Sequence, residues 1–398
     1  MKKDGTDNME AYLDNSATTP VSEGVAQVVM KAMTEDFGNP SSKHLKGMEA
    51  ERLVRQAQEE IASTLHVAPE EIFFTSGGTE SNNWALIGSA MANRRAGNHI
   101  ITTSVEHAAV LRPLAFLEEE GFSVTYLSVD AHGHISVEDL KQALTKETIL
   151  VSIMYVNNEI GALEPVAEAG EVIREWNRAH HTEVLFHVDA IQAYGKYRIA
   201  PRKLGIDLLS VSGHKIHGPK GSGFLYIRQK VKIKPLILGG GQQKGMRSGT
   251  DNVPGAAGLG EAAKEVYTEF DRKIAGMLAC RRRLIEGLKE IEGVLLVTDE
   301  DEACSAPHIV SCACEGVRAE VLLHALEEKG IYVSSGSACS SNKKTPVSSV
   351  IQEIHLRKNL QESVIRFSFS DRTTVEEIDY ALDVLRQLLP VLRRYSRR

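Results

Sequence analysis

Lys215 lies in the run SVSGHKIHGPKGSG, and Asp189, 26 residues before it, closes the apolar stretch HVDAIQ. A lysine bracketed by small residues and a histidine, at the end of a strand-like run, is placed to condense with an aldehyde as a Schiff base. A carboxylate in the position of Asp189 is what a protonated pyridine nitrogen requires of its surroundings. His107, in SVEHAAV, also follows a strand-like run, where an imidazole can stack on a flat heteroaromatic ring and relay protons near neutral pH. Taken singly, each has a plain structural reading. Most lysines are solvated, a lone histidine is more often structural, and the histidines and Gly-Pro around Lys215 also describe a strand-to-loop turn. Their common position just after strands separates them from that background.

The elements that must carry these residues alternate in type. Strand-like runs fall at 72–75 (IFFT), 99–104 (HIITTS), 123–129 (SVTYLSV), 149–156 (ILVSIMYV), 183–189 (EVLFHVD), 207–212 (DLLSVS) and 223–228 (GFLYIR). They are continuous apolar runs, as in buried parallel strands, and not alternating ones. Helical patterns such as SNNWALIGSAMANRR, VLRPLAFLEEEG and VAEAGEVIREWNRAHH lie between them, so the expected fold is α/β with a mostly parallel central sheet. In open α/β sheets ligands gather beyond the carboxyl ends of the strands. That directs attention to Thr75 to Thr79, His107, Asn157, Asn158, Asp189, Gln192 and Ser212 to Lys215.

After the Gly-rich stretch LGGGQQKGMRSGTDNVPGAAGLG the pattern changes to a long helix rich in Lys, Arg and Glu, from about Leu259 to Ile291. VLLVTD, HIVSCAC, the helix RAEVLLHALEEKG, a Ser-Gly-Cys loop, IRFSFS and a closing helix from near Thr374 follow. We therefore expect a large domain over 21–258 and a smaller α+β C-terminal domain over 259–398. The N-terminal segment, 1–20, is expected to pack with the smaller one.

TSGGTESNN, at 75–83, follows a strand and opens a helix, so its glycines and amides could cradle a phosphate at the positive helix end. It equally describes a capped turn with Ser76 or Thr79 as N-cap, and it matches neither GxGxxG nor the nucleotide P-loop. Of the five cysteines, Cys312 and Cys314 alternate as strand residues do, Cys280 lies on a helical pattern, and with Cys304 these read as structural thiols. Cys339, in SSGSACSSNKK, sits instead in a run of small and polar residues that reads as an exposed loop. No CxxC pair has metal spacing, so no metal is expected, and the odd number suits thiols in a reducing compartment.

With 398 residues, 42% of them apolar, the chain can bury a substantial core. A net charge of −7 and a pI near 6.1 disfavour nucleic acid as a direct partner, because no basic stripe is present to displace phosphate counterions. The basic tail LRRYSRR reads as a solvated helix end. MKKDGTDNME lacks the apolar core of a signal peptide, and no apolar run reaches the length of a membrane span, so a cytoplasmic protein is expected.

Taken together, YLDNSATTP (12–20), FGNPSS (37–42), TSGGTESNN, VEHAAV, VNNEIG (156–161), HVDAIQ, SGHKIHGPKG, GGGQQKGMRSGTDN and SSGSACSS span almost the whole chain. In this order and spacing they resemble the cysteine desulfurases of the NifS and IscS type, in the class V aminotransferase group of fold-type I pyridoxal phosphate enzymes.

The resemblance implies pyridoxal 5'-phosphate bound by Lys215, with Asp189 on the pyridine nitrogen, Gln192 on the ring oxygen and His107 stacked on the ring as acid or base. It implies a phosphate site from Gly78, Thr79, Ser212 and His214, completed by Thr250 of a second subunit in a homodimer. Asn158, Arg366 and Asn39 would bind the carboxylate of the substrate L-cysteine, a guanidinium fork suiting two oxygens. Cys339 would take the substrate sulfur as a persulfide, leaving L-alanine, and pass it to an acceptor protein for iron–sulfur cluster assembly or tRNA thiolation.

Where relatives commonly read RFSLGRFTTEEE, this chain reads RFSFSDRTTVEEID, so Ser370 and Asp371 replace a Gly and an Arg beside the carboxylate site. Selenocysteine lyase, another lyase or aminotransferase on this scaffold, and a catalytically degenerate partner-binding scaffold are the rival readings. The retained set of Lys215, Asp189, His107 and Cys339 argues against the last.

Overall fold

The structure, a computed structural model, describes residues 9–335 and 347–396. In chain order its strands are β1 (Ala11–Tyr12), β2 (Ile72–Thr75), β3 (His99–Thr103), β4 (Ser123–Leu127), β5 (Thr148–Met154), β6 (Leu185–Asp189), β7 (Leu208–Ser212), β8 (Gly223–Ile227), β9 (Val294–Leu296), β10 (Ile309–Cys314), β11 (Ile331–Tyr332), β12 (Ser334–Ser335) and β13 (Val364–Ser368). Seven of them form one sheet in the order β2-β8-β7-β6-β5-β3-β4. Neighbours from β7 to β4 run parallel, and β8 lies antiparallel to both β7 and β2. Each continuous apolar run of the sequence became one of these strands. β3, β5, β6, β7 and β8 are buried along their whole length, as strands covered by helices on both faces must be.

The antiparallel β8 follows from chain length. Parallel strands need a crossover of a dozen or more residues, usually a helix, whereas residues 213–222 are a short irregular link that returns directly. That link carries Lys215.

A four-stranded antiparallel sheet, β12-β13-β10-β9, is built from the later part of the chain, and β1 pairs in parallel with β11 beside it. Its core gathers Leu284, Leu288, Ile365, Phe367, Leu382 and Leu385, apart from the core of the larger sheet around Val151, Phe186, Val188, Leu209 and Phe224. A third apolar cluster spans the seam, with Val105, Met154 and Ile160 on one side and Val297, Ala313, Val350 and Val364 on the other. At roughly 1.5–3 kcal/mol for each fully buried Val or Ile side chain, this seam contributes to the packing of the two sheets.

One element differs from the sequence expectation. The helical pattern from Leu259 to Ile291 is two helices, Val253–Tyr267 and Phe270–Lys289, broken where Thr268 is extended and Glu269 is left-handed at φ 52°. The first packs on the helix Leu45–Leu65 through small residues. A Cβ on Gly260 would stand 2.7 Å from Ala57 Cβ, so only glycine permits that approach.

Candidate active site

β5, β6 and β7 end side by side, and the residues at and just beyond their carboxyl ends converge on a cavity of about 430 Å³. Asp189 is the last residue of β6 and is 5% exposed. Its Oδ2 accepts from Asn82 Nδ2 at 2.7 Å and its Oδ1 from the Ile191 amide at 3.0 Å. Burial raises its carboxyl above the usual range, opposed by those two donors and by the charges of His107 and Lys215. A carboxylate so placed gains most from a cation set against it.

Lys215 closes the single turn Gly213–Lys215 that follows β7. Its ammonium donates to the carbonyls of Ser16 and, at 2.6 Å, Ala17. The N-terminal segment is itself tied to this turn, because Thr19 N and Oγ1 both donate to the His214 carbonyl, at 2.9 and 3.0 Å. His214 Nδ1 lies 3.2 Å from Thr18 Oγ1, and burial together with Lys215 and Lys220 lowers the imidazole to about 4. His214 is therefore a neutral hydrogen-bonding group near pH 7. Gln192 donates from Nε2 to the Ser16 carbonyl at 3.0 Å, while its Oε1 faces His308 Nε2 at 3.4 Å.

His107 is the N-cap of the helix Ala108–Glu119, its Nδ1 accepting from the Ala109 amide at 3.0 Å. That bond fixes the ring and leaves Nε2 as the atom able to exchange a proton. Glu106 beside it is fully buried, accepting from Thr103 Oγ1 at 3.0 Å and the Met154 amide at 2.7 Å, and burial pushes its carboxyl well up. It thus joins the His107 turn to the end of β5.

Across the cavity, Arg366 stands in mid β13 between Ser311 and Ser334. It donates from Nη1 to the Asn158 carbonyl at 2.7 Å and from Nη2 to Asp14 Oδ1 at 2.8 Å, while Nε is buried without a partner. The neighbouring Asn157 is buried and caps its own turn, accepting from the Glu159 and Ile160 amides.

Gly78, Thr79, His107, Asn158, Asp189, Gln192, Ser212, His214, Lys215 and Arg366 all line the cavity. Gly77, with φ 144°, is the N-cap of the helix opening at Gly78, where the sequence offered Ser76 or Thr79. Asn39 and Thr250 are exposed and stand outside it, and Cys339 lies outside the described residues. Cys280, Cys304, Cys312 and Cys314 are free thiols. Sequence reasoning missed Asn82, Asp14 and the Ser16 and Ala17 carbonyls. Asn82 sits in TSGGTESNN and the others in YLDNSATTP, so the motifs marked the segments but not the atoms.

A lysine, a buried carboxylate and a guanidinium thus meet at the strand ends of an α/β sheet, where a small-molecule site is expected. The chain belongs to the class V aminotransferase family, which it matches over residues 11–381. It is 44% identical to a protein named cysteine desulfurase IscS from Methanosarcina thermophila, over 98% of this chain and 95% of the relative. Identity is also 44% to one of the same name from Klebsiella pneumoniae, over 97% and 94%. Among solved structures, a NifS-like protein superposes with a TM-score of 0.90 at 38% identity, over 96% of this chain and 100% of that one. A structure described as SspA in complex with cysteine gives 0.78 at 34% identity, over 92% and 100%.

The residues present fit the cofactor this family implies. Ser16 Oγ and Arg366 Nε are buried and unpartnered on the cavity wall, donors with no acceptor supplied by the protein. At Gly78 a Cβ would meet Ile191 Cδ1 at 2.1 Å, so only a bare backbone fits beside Ile191 on the cavity wall.

Proposed function

We propose that the protein is a pyridoxal phosphate-dependent cysteine desulfurase, converting L-cysteine to L-alanine with transfer of the sulfur to Cys339. The observation that carries this reading is the meeting of Lys215, Asp189 and Arg366 around one cavity, in a chain 44% identical over 98% of its length to a named desulfurase. When bound, pyridoxal phosphate supplies an aldehyde that captures amines and a protonated ring that withdraws electrons from the substrate α-carbon.

The residues divide the remaining work. Lys215 would hold the aldehyde and, once released as a free amine, would take the substrate α-proton onto its Nζ. Asp189 would keep the ring nitrogen protonated, Gln192 would donate to the ring oxygen, and His107 would lie against the ring and act as acid or base. Gly78, Thr79, Ser212 and His214 hold the phosphate. Arg366 and Asn158 orient the substrate carboxylate. The Cys339 thiolate attacks the substrate sulfur, so an S–S bond forms as the C–S bond breaks. The electron pair of the C–S bond stays on carbon and is protonated, giving alanine and a Cys339 persulfide with no external oxidant.

Thr250 and Asn39 are exposed and outside the cavity; we infer a homodimer in which Thr250 completes the partner's phosphate site, and that Asn39 aids carboxylate recognition. Exposure of Met30, Met33, Phe37, Leu45 and Met48 along 30–48 supports an apolar interface there. We further infer a cytoplasmic enzyme serving an acceptor protein of iron–sulfur assembly or tRNA thiolation. Among the described residues no helix is long and apolar enough to cross a membrane.

The test is anaerobic turnover of L-cysteine with a thiol reductant, quantifying alanine and sulfide for the wild type and Cys339→Ala. Equal release of both, lost in the variant, supports the desulfurase. Product formation surviving in the variant selects elimination or selenocysteine-type chemistry instead.

A further inference from the structure

Behind the Lys215 turn lies a cluster of charged groups that this mechanism leaves unused. Lys196 donates to the Lys215 carbonyl at 2.7 Å. Part of the residue reaches the surface, but its ammonium is enclosed, and burial lowers it to about 8 against an opposing pull from Asp371. Two residues beyond Lys215, His217 is held in the left-handed region at φ 61°. Its amide donates to Thr19 Oγ1 at 2.8 Å, its Nδ1 faces the Pro20 carbonyl at 2.9 Å, and its Nε2 faces Asp371 Oδ1 at 3.2 Å. The other carboxylate oxygen of Asp371 lies 3.2 Å from Lys273 Nζ on the helix Phe270–Lys289. Ser370 shapes the turn that presents it, its hydroxyl accepting from the Arg372 amide at 3.3 Å and its own amide donating to Thr373 Oγ1 at 3.1 Å.

The groups facing Asp371 are therefore His217, Lys273, Lys196 and the exposed Arg272, while Lys196, Arg366 and Lys215 face the buried His308. Among these groups Asp371 is the one carboxylate. Burial alone would raise it, yet His217 and Lys273 hold it well below the usual range. An arginine in its place would meet only cations and imidazole, so the carboxylate is matched to the neighbours this chain supplies.

We propose that Asp371 is a positioning residue for Lys215: its carboxylate fastens the far end of the lysine turn, through His217, to the β13 exit and the helix of Lys273, and its charge keeps the Lys196 ammonium on the Lys215 carbonyl. This rests on the reading of Lys215 as the cofactor-bearing lysine. The consequence is a lysine whose direction is set from the small sheet as well as from β7.

The test compares the wild type with Asp371→Asn, Asp371→Arg and Asp371→Glu. Its readouts are the thermal midpoint of the cofactor-free protein, the affinity of that protein for added pyridoxal phosphate, and kcat and KM for L-cysteine against pH. Asp371→Asn should lower kcat about tenfold with KM within about twofold and weaken cofactor binding several-fold. It should also move the alkaline limb of kcat to lower pH, because Lys196 without its counter-charge loses its proton more easily. Asp371→Glu should restore most of each, and Asp371→Arg should lose more than Asp371→Asn. A lowered midpoint with cofactor affinity, kcat and the alkaline limb unchanged would make the contact merely structural and overturn the proposal, as would coincidence with the wild type in all readouts. Borohydride reduction and peptide mapping separate the two levels. Label on another lysine overturns the reading of Lys215 and this inference with it, whereas label on Lys215 with an indifferent Asp371→Asn overturns this inference alone.

Discussion

Replacing Arg366 by lysine keeps a cation in mid β13 but removes the fork, and the structure sets what that should cost. Arg366 already spends one nitrogen on the Asn158 carbonyl and one on Asp14 Oδ1, at 2.7 and 2.8 Å, and is only 6% exposed. A single ammonium cannot hold both and also meet two oxygens of a substrate carboxylate. The loss is one or more charge-assisted hydrogen bonds, about 1.5–3 kcal/mol, which at about 1.4 kcal/mol per decade is roughly 10- to 150-fold in KM for L-cysteine. Because the carboxylate is held alike in the ground and transition states, kcat should stay within about threefold. The cofactor-free variant should unfold within about 1 kcal/mol of the wild type, since Asp14, 21% exposed, keeps a cationic partner. Steady-state alanine formation against L-cysteine concentration reads the effect, with competition by cysteamine, which has no carboxylate, as the control. A KM rise under threefold, or an equal loss of affinity for cysteamine, would refute carboxylate recognition by Arg366.

Asp189→Asn keeps the shape at the end of β6 but removes the charge opposite the ring nitrogen, and kcat should fall on the order of 10²–10³ with cofactor still bound; retained kcat would remove Asp189 from the mechanism. Gly78→Ala drives a methyl to 2.1 Å from Ile191 Cδ1, so Ile191 must shift against the cavity. We expect about tenfold weaker cofactor binding and a stability loss of about 1–3 kcal/mol, read by cofactor titration and urea unfolding. Glu164, 2% exposed, accepts from the Ile135 amide at 3.1 Å, and burial raises it from 4.5 to about 8. The folded state then binds the extra proton between those values, so stability falls as pH rises from 4.5 toward 8, by at most about 5 kcal/mol. Glu164→Gln should abolish that slope. Urea unfolding at about pH 5 and pH 8 should show the wild type losing roughly 2–4 kcal/mol relative to the variant, and parallel behaviour would refute it.

The site was legible where chemistry follows directly on a strand. Asp189, Ser212 and Lys215 each sit at or within a few residues of the end of an apolar run, and the sheet brings those ends together whatever the intervening helices do. What could not be read is carried by atoms without a residue signature. The Lys215 ammonium rests on the Ser16 and Ala17 carbonyls, about two hundred positions away, and any residue type could have supplied them. The break at Glu269 was missed for a similar reason, because a left-handed residue is normally announced by Gly or Asn and here is held by its tertiary setting. Asp371 was visible as an oddity of type. Its meaning lay in His217 and Lys273, which nothing in the linear pattern places beside it.

The N-terminal segment explains how two sheets can share one lysine. Asp14 bridges to Ser368 at the end of β13 and receives Arg366, then Ser16 and Ala17 receive Lys215. Farther on, Thr19 accepts from the His217 amide and the Ser22 amide donates to the His217 carbonyl. The segment therefore lies as a strap whose first half is fixed by the small sheet and whose second half is fixed by the lysine turn. Asp371, three residues beyond β13, meets His217 from the other side, so the lysine turn is tied to the small sheet from two directions. With Arg366 in its proposed role, an arriving carboxylate would compete with Asp14 for the same guanidinium, and Asp14 lies only two residues from the carbonyl that restrains the Lys215 ammonium. On that proposal, substrate recognition and release of the lysine would be mechanically adjacent, joined by the three residues from Asp14 to Ser16.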